Sequence, residues 1–235
     1  MEIYEQKTHI GSEHTAMNGY LRPSSMFDLL QDAAAGSAAM YGAGMETLKT
    51  RGILWMVVHM RTQVFSLPRF GSDVTVCTWL GEENHGLYTR YYEMRYAGGD
   101  ICVKASGTWV LVDASTRSLL RDPDVKMPLI TTGSEGERPR KLRLPELSHS
   151  AAFTARYSQA DINGHMNNAK YLDAAEDMMP VDYLMRHRLN SACVDYLREV
   201  VPGETLSIRY GCDGGEWWFS GETEEPCFRI KLVYD

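Results

Sequence analysis

Asp161-Ile162-Asn163-Gly164-His165-Met166-Asn167-Asn168-Ala169-Lys170-Tyr171 is the stretch on which the rest of this sequence turns. Three residues able to act on a carbonyl or a water, Asp161, Asn163 and His165, alternate with Ile162 and Gly164. Side chains swap faces at each step of an extended segment, so the spacing places all three on one side. Directly after them, Asn167 or Asn168 can cap a helix over about 169–179, which stops before Pro180. The polar trio is thereby delivered to a helix N-terminus, where unpaired backbone N–H groups favour developing negative charge. A site that stabilises an oxyanion needs that geometry. Taken alone, Asp-x-Asn-x-His also fits an ordinary surface turn. The Asn-Asn pair and a second copy of the same frame argue for more.

The second copy lies near the start of the chain. At an offset of 145 residues Asn18 meets Asn163, Gly19 meets Gly164, Asp28 meets Asp173 and Asp32 meets Asp177. Apolar Met26 and Phe27 fall on Tyr171 and Leu172. A loop-plus-helix unit therefore occurs twice. The first helix is predicted over about 24–41, with Ser25 and Asp28 spaced near to a capping box. Its middle, Ala33-Ala34-Ala35-Gly36-Ser37-Ala38-Ala39, is small all round, which predicts burial on most sides and close backbone approach.

Strand patterns rich in Val, Thr, Tyr and Trp follow at about 53–64, 73–80, 87–96 and 101–112. After the second helix, strands are predicted near 192–200, 205–212, 217–222 and 228–234. In the last, Phe228, Ile230 and Leu232 alternate with Arg229 and Lys231, the pattern of a half-buried strand. Between the halves, residues 123–145 hold four of the nine prolines, with Arg138, Arg140, Lys141 and Arg143 clustered, and read as a linker over the outside. The division is thus 1–122, a linker 123–147, and 148–235.

Composition narrows the function. A content of 44% hydrophobic and 23% charged residues is that of an ordinary soluble protein, and no apolar run approaches the ~18 residues needed to span a bilayer. Met1-Glu2-Ile3-Tyr4-Glu5 has no basic-then-apolar signal pattern, so the expected compartment is the cytoplasm. The five cysteines are scattered, with no C-x-x-C pair, and indicate neither zinc nor a disulfide framework. A net charge of -7 argues against nucleic acid.

The sequence resembles the acyl-acyl-carrier-protein thioesterases that end fatty-acid synthesis in plants and have bacterial relatives. The resemblance covers nearly the whole chain. It rests on residues 161–171, which fit the family's D-x-N-x-H-x-N-N-x-K-Y, and on Asp195-Tyr196-Leu197-Arg198-Glu199, similar to its E-Y-R-R-E. In the first half Thr78-Trp79-Leu80, Asn84-His85-Gly86, Ala105-Ser106-Gly107-Thr108-Trp109-Val110 and Ser115-Thr116-Arg117 resemble its sheet motifs. It implies an α+β tandem hot-dog fold, each half an antiparallel sheet wrapped around a central helix. The N-terminal half would hold the acyl chain and the C-terminal half would be catalytic, with acyl carrier protein as partner. Asp161, Asn163 and His165 occupy the motif's positions, and Glu199 the acidic position used as general base in some accounts. Where plant members have a Cys directly after that Glu, this chain has Val200, and Asp195 replaces a family Glu.

Thioester hydrolysis needs a positioned water, a base and oxyanion donors. Glu199 or Asp161 can take the proton, His165 can share that role or protonate the leaving thiolate, and Asn163 offers amide donors. No metal or cofactor is required. The first copy has Ala16 opposite Asp161 and Tyr20 opposite His165, so one active site per chain is expected. Met26, Phe27, Leu29, Leu30, Met40 and Met45 are then candidates for the wall of an acyl pocket. Because a typical carrier protein is acidic, docking should use local basic residues, either the linker cluster or Arg186 with Arg188, the latter expected to flank the entrance. Two other classes stay open: a different hot-dog enzyme, such as an acyl-coenzyme-A thioesterase or dehydratase, and a non-catalytic acyl-binding module. A homodimer is left open too.

Overall fold

The protein folds, in a computed structural model that describes residues 2–121, 123–133 and 135–235, around one ten-stranded antiparallel sheet. The first half contributes β1 (Tyr4–His9), β2 (Ile53–Val64), β3 (Asp73–Asn84), β4 (Leu87–Tyr96) and β5 (Ile101–Asp113). The second contributes β6 (His149–Thr154), β7 (Leu189–Tyr196), β8 (Thr205–Asp213), β9 (Glu216–Glu222) and β10 (Pro226–Tyr234). Their order is β1-β3-β4-β5-β2-β7-β10-β9-β8-β6, so the second half repeats the first in reverse across a β2–β7 seam. Each half carries one central helix, α1 (Pro23–Met40) or α3 (Lys170–Glu176). Two shorter helices, α2 (Met45–Lys49) and α4 (Val181–Arg186), follow them. This is the tandem hot-dog architecture that the resemblance implies. The first domain's boundary residue, Asp122, lies outside the described residues.

The small residues of α1 let the sheet close on it. Ala33, Ala34 and Ala38 are buried, and a Cβ on Gly36 would stand 2.2 Å from the Tyr4 hydroxyl. Across the molecule α1 and α3 share one core with the sheet, in which Tyr171 meets Phe228 edge-on at a centroid distance of 5.1 Å. Met26, Phe27 and Leu30 are fully buried in that core. They belong to the core shared by sheet and helices and line none of the cavities described below.

Three sequence expectations need correction. The second helix is not continuous over 169–179. Met178 N–H bonds Ala175 O and Met179 N–H bonds Glu176 O, tight i→i+3 bonds that close α3 before Pro180 opens α4. The strand expected at 192–200 runs from Leu189 to Tyr196, and residues 197–201 leave the sheet, because Leu197 and Arg198 turn their N–H groups onto Cys227 O. The linker is not a free outer strap: Ile130 N–H bonds Leu80 O, and Leu142 and Leu147 are buried.

Asp195 explains how the linker is held. It faces His59 across the seam, its Oδ1 lies 2.9 Å from His59 Nδ1, and its Oδ2 accepts the Leu142 N–H at 2.8 Å. The residue is 1% exposed. A carboxylate so placed pins sheet and linker together. Asp195→Ala would strand a buried N–H and a ring nitrogen, at a cost of about 2–4 kcal/mol. Urea unfolding should show a lower midpoint with an unchanged slope, and an unchanged midpoint would show that the pin is dispensable.

The repeat at offset 145 is literal in the backbone. Gly19 N–H bonds Ala16 O at 2.9 Å and Ala16 N–H bonds Tyr20 O at 2.9 Å. In the second half Gly164 N–H bonds Asp161 O at 3.1 Å and Asp161 N–H bonds His165 O at 2.8 Å. Both turns end in a bridge, Thr15 to Leu21 and Ala160 to Met166.

Candidate active site

That second turn corrects the extended reading of the motif. Asp161, Asn163 and His165 do not share a face of a strand. The chain reverses at Ile162–Gly164, with Gly164 at φ +82°, a conformation that glycine adopts without penalty. Asp161 holds the reversal: its Oδ1 accepts the N–H groups of Asn163 at 2.8 Å and His165 at 3.3 Å, and its Oδ2 accepts Asn163 Nδ2 at 3.3 Å. With three hydrogen bonds inside its own turn, this carboxylate positions the loop and presents Asn163, which is exposed.

The rest of the motif ties the loop to α1. Asn167 Oδ1 accepts the Ala169 N–H at 2.8 Å, so it caps the turn leading into α3, whose N-cap is Ala169. Asn168 donates to Gln31 Oε1 at 2.8 Å, and its carbonyl accepts the Tyr196 hydroxyl at 2.9 Å. Lys170 reaches Asp28 at 3.7 Å and Asp173 at 3.3 Å.

His165 Nε2 lies 3.4 Å from Glu199 Oε2. Glu199 stands on the segment after β7, and its Oε2 also accepts Arg117 Nε at 3.2 Å. Arg117 was not singled out in the sequence, although Ser115-Thr116-Arg117 belongs to the resemblance. It lies 82 residues from Glu199 in the chain, and no local pattern announces that meeting. Its placement starts at Asp113, whose Oδ1 gathers the hydroxyls and N–H groups of Ser115 and Thr116. Those bonds, led by the Ser115 hydroxyl, pull the Asp113 carboxyl down to about 2. The turn they form carries Arg117 at φ 58°, from which it donates to Ala114 O at 3.0 Å and to Glu199. The His165, Arg117 and Glu199 side chains are all between one-fifth and one-third exposed, so water reaches the cluster.

Two cavities adjoin. One of about 160 Å³ holds Asp161, Asn163, His165, Arg117 and Glu199, with the start of β2 as its far wall. The other, also about 160 Å³, is apolar, lined by Ala34, Ala38, Leu48, Ile53 and Trp109 among others. Asn163, Leu54 and Trp55 line both, so the polar cluster opens onto an apolar chamber. Met45 is one of its walls.

A larger cavity of about 420 Å³ lies at the first-half turn, beside Ala16 and Asn18, and shares no residue with the polar cluster. Its turn has Ala16 and Tyr20 where the other has Asp161 and His165, although Asp173, Glu176, Asp177 and His187 also line it. Tyr20 instead has two guanidinium groups over its ring, Arg188 at 4.2 Å and Arg69 at 4.7 Å from the centroid. Hydrogen bonding to Arg188, and next to Arg69, lowers the phenol's pKa. Here the expectation for Arg186 and Arg188 fails. The reversed repeat carries α4 to the first-half turn, where Leu184 O accepts Asn18 Nδ2 at 2.9 Å, so neither arginine flanks the His165 cluster. Arg186 pairs with Asp182 at 3.9 Å. In the linker Arg138 pairs with Glu82, while Arg140, Lys141 and Arg143 are exposed. Among the described residues no cluster has a metal-binding arrangement, and no helix is long and apolar enough to cross a membrane.

Comparison with known proteins places these features in context. Residues 1–126 match the acyl-ACP thioesterase N-terminal domain, and residues 143–231 match the acyl-ACP thioesterase C-terminal domain. A chloroplastic palmitoyl-acyl carrier protein thioesterase of Arabidopsis thaliana is 26% identical over 209 residues, covering 83% of this chain and 50% of the relative. A chloroplastic dodecanoyl-[acyl-carrier-protein] hydrolase of Cinnamomum camphora is 26% identical over 203 residues, covering 79% of this chain and 53% of the relative. The chain thus spans about half the length of these curated relatives. Among solved structures, an acyl-ACP thioesterase from Bacteroides thetaiotaomicron superposes with a TM-score of 0.87 at 21% identity, over 99% of this chain and 98% of the other. The 12:0-ACP thioesterase from Umbellularia californica gives 0.82 at 20% identity, over 99% and 97%. Both share the fold.

Proposed function

Because the chain belongs to the acyl-ACP thioesterase family, we propose that it hydrolyses fatty acyl thioesters of acyl carrier protein, releasing the free fatty acid and the carrier thiol. The observation that carries this reading is the 3.4 Å approach of His165 to Glu199 at the mouth of an apolar chamber. The chamber, with walls mainly from the first half, takes the acyl chain. The second half supplies the acid–base residues.

The geometry supports the following roles. Glu199, which faces His165 and accepts a hydrogen bond from Arg117, takes a proton from water as that water's oxygen attacks the thioester carbon. Asn163, fixed by Asp161, donates to the oxygen that gains charge. The C–S bond then breaks, and the proton taken up by Glu199 passes through His165 to the departing thiolate. Asp161 is a positioning residue in this scheme.

No covalent step is available at the position after Glu199. Val200 is fully buried, and its carbonyl accepts the Met166 N–H at 2.7 Å. Thiol reagents should therefore leave activity intact, and quenched reactions should yield no acyl-protein adduct by mass spectrometry. A trapped adduct would overturn direct attack by water. The function itself is tested by assaying purified protein against matched acyl-carrier-protein and acyl-coenzyme-A thioesters. Faster release of free acid from the carrier protein is expected, and a clear preference for coenzyme A would assign the protein to another thioester substrate.

A further inference from the structure

The apolar chamber contains one group that a plain hydrocarbon chain cannot satisfy. Arg90, on β4, is 3% exposed and lines the chamber beside Ala34, Ala38, Leu48 and Trp109. Its Nη1 donates to Ser37 Oγ at 3.0 Å and to Thr78 Oγ1 at 3.3 Å, both neutral hydroxyls. Among the described residues no carboxylate forms an ion pair with it. Burial pulls its pKa down, the mark of a guanidinium taken out of water without a counter-charge. A guanidinium has five N–H donors. The two recorded bonds leave donors on the cavity side.

Of the chamber's other polar side chains, Asn163 is exposed and Gln31 is tied to Asn168. Arg90 is the buried one. An alkyl chain lying there offers its N–H groups nothing, whereas an oxygen on the chain meets them directly. Buried polar groups left unpaired are what make a pocket reject the analogue lacking the oxygen.

We propose that Arg90 is a specificity-determining residue that reads an acceptor oxygen on the acyl chain, so that oxygenated acyl thioesters are preferred over plain alkyl ones of equal length. The proposal rests on the thioesterase reading for its substrate class. The shared chemistry is an acceptor oxygen, and hydroxyl, keto and terminal carboxylate groups are its three sources. Arg90 also links α1 to β3 through Ser37 and Thr78, and a purely structural role would predict no discrimination among chains.

The test uses the full chain and matched series of acyl thioesters of increasing length: unsubstituted, hydroxylated, keto-substituted and carboxyl-terminated. Wild-type kcat/KM is expected to be at least about 10-fold higher for an oxygenated member than for its alkyl counterpart at one length or more. Arg90→Met should invert that preference, raising kcat/KM for alkyl thioesters as the wall becomes apolar. Arg90→Lys should retain part of it. In parallel, calorimetric binding of the corresponding free acids reads the same preference without turnover. An enzyme that binds oxygenated acids more tightly but hydrolyses no thioester would overturn the reaction and leave Arg90's role standing. Preference for alkyl chains at every length, in both assays, overturns the proposal. So does an oxygen preference that survives in Arg90→Met. If Arg90→Met does not fold, the wild-type series and Arg90→Lys decide the matter.

Discussion

Replacing Glu199 by Gln is expected to lower kcat by ~10²-fold or more, with KM changed far less and the fold intact. Gln keeps the shape of Glu and can still accept hydrogen bonds from Arg117 and face His165, but it cannot take a proton from water. The ion pair lost is about one-third exposed on both sides, so its contribution to stability is small, ~0–1 kcal/mol. Unfolding of Glu199→Gln should accordingly resemble wild type. Asp161→Asn is the control. Asn retains an Oδ1 able to accept the N–H groups of Asn163 and His165, so the turn should persist and kcat fall much less. The reverse outcome, a nearly silent Glu199→Gln beside a crippled Asp161→Asn, would make Asp161 the base and Glu199 a structural partner of Arg117.

Substitution of His165 by Ala is expected to cost ~10²-fold or more in kcat, while Tyr20→Ala at the equivalent repeat position should change kcat by less than about 3-fold. The two residues follow the same turn, 145 positions apart, so they differ in chemistry and not in backbone placement. His165 meets a carboxylate beside the apolar chamber. Tyr20 has two arginines over its ring, on a turn without Asp or His, and its removal leaves Arg188 bonded to Met185 O and His187 O. The pair Asn163→Ala and Asn18→Ala should show the same asymmetry, since Asn18 Nδ2 is committed to Leu184 O. Equal losses in both halves, in folded variants, would mean that both turns take part in the reaction.

Much of this architecture was legible before any coordinates. The strands at Ile53–Val64 and Leu87–Tyr96 fall where the β-branched and aromatic runs lie, because such side chains pack well on a pleated, buried surface. The buried α1 was readable from its small residues, and the repeat from Asn18-Gly19 beneath Asn163-Gly164. The edge strands β1 and β6 received no bounds, since Tyr4–His9 and His149–Thr154 bury little and so carry weak patterning.

What the sequence by itself determined is local: which segments alternate, which turn, which residue types stand in the motif, and the absence of acid–base residues in the first copy. Tertiary structure decided the rest. Alternation of Asp161, Asn163 and His165 fits a strand and a reversal equally well, and the choice went to the reversal, with Gly164 at positive φ and Asp161 bonding its own loop. Arg117 reaches Glu199, and α4 carries Arg186 and Arg188 away from them, because β2 pairs with β7 antiparallel and turns the second half end for end against the first. Pairing across such distances depends on how the two halves bury a common core, which no window of neighbouring residues encodes.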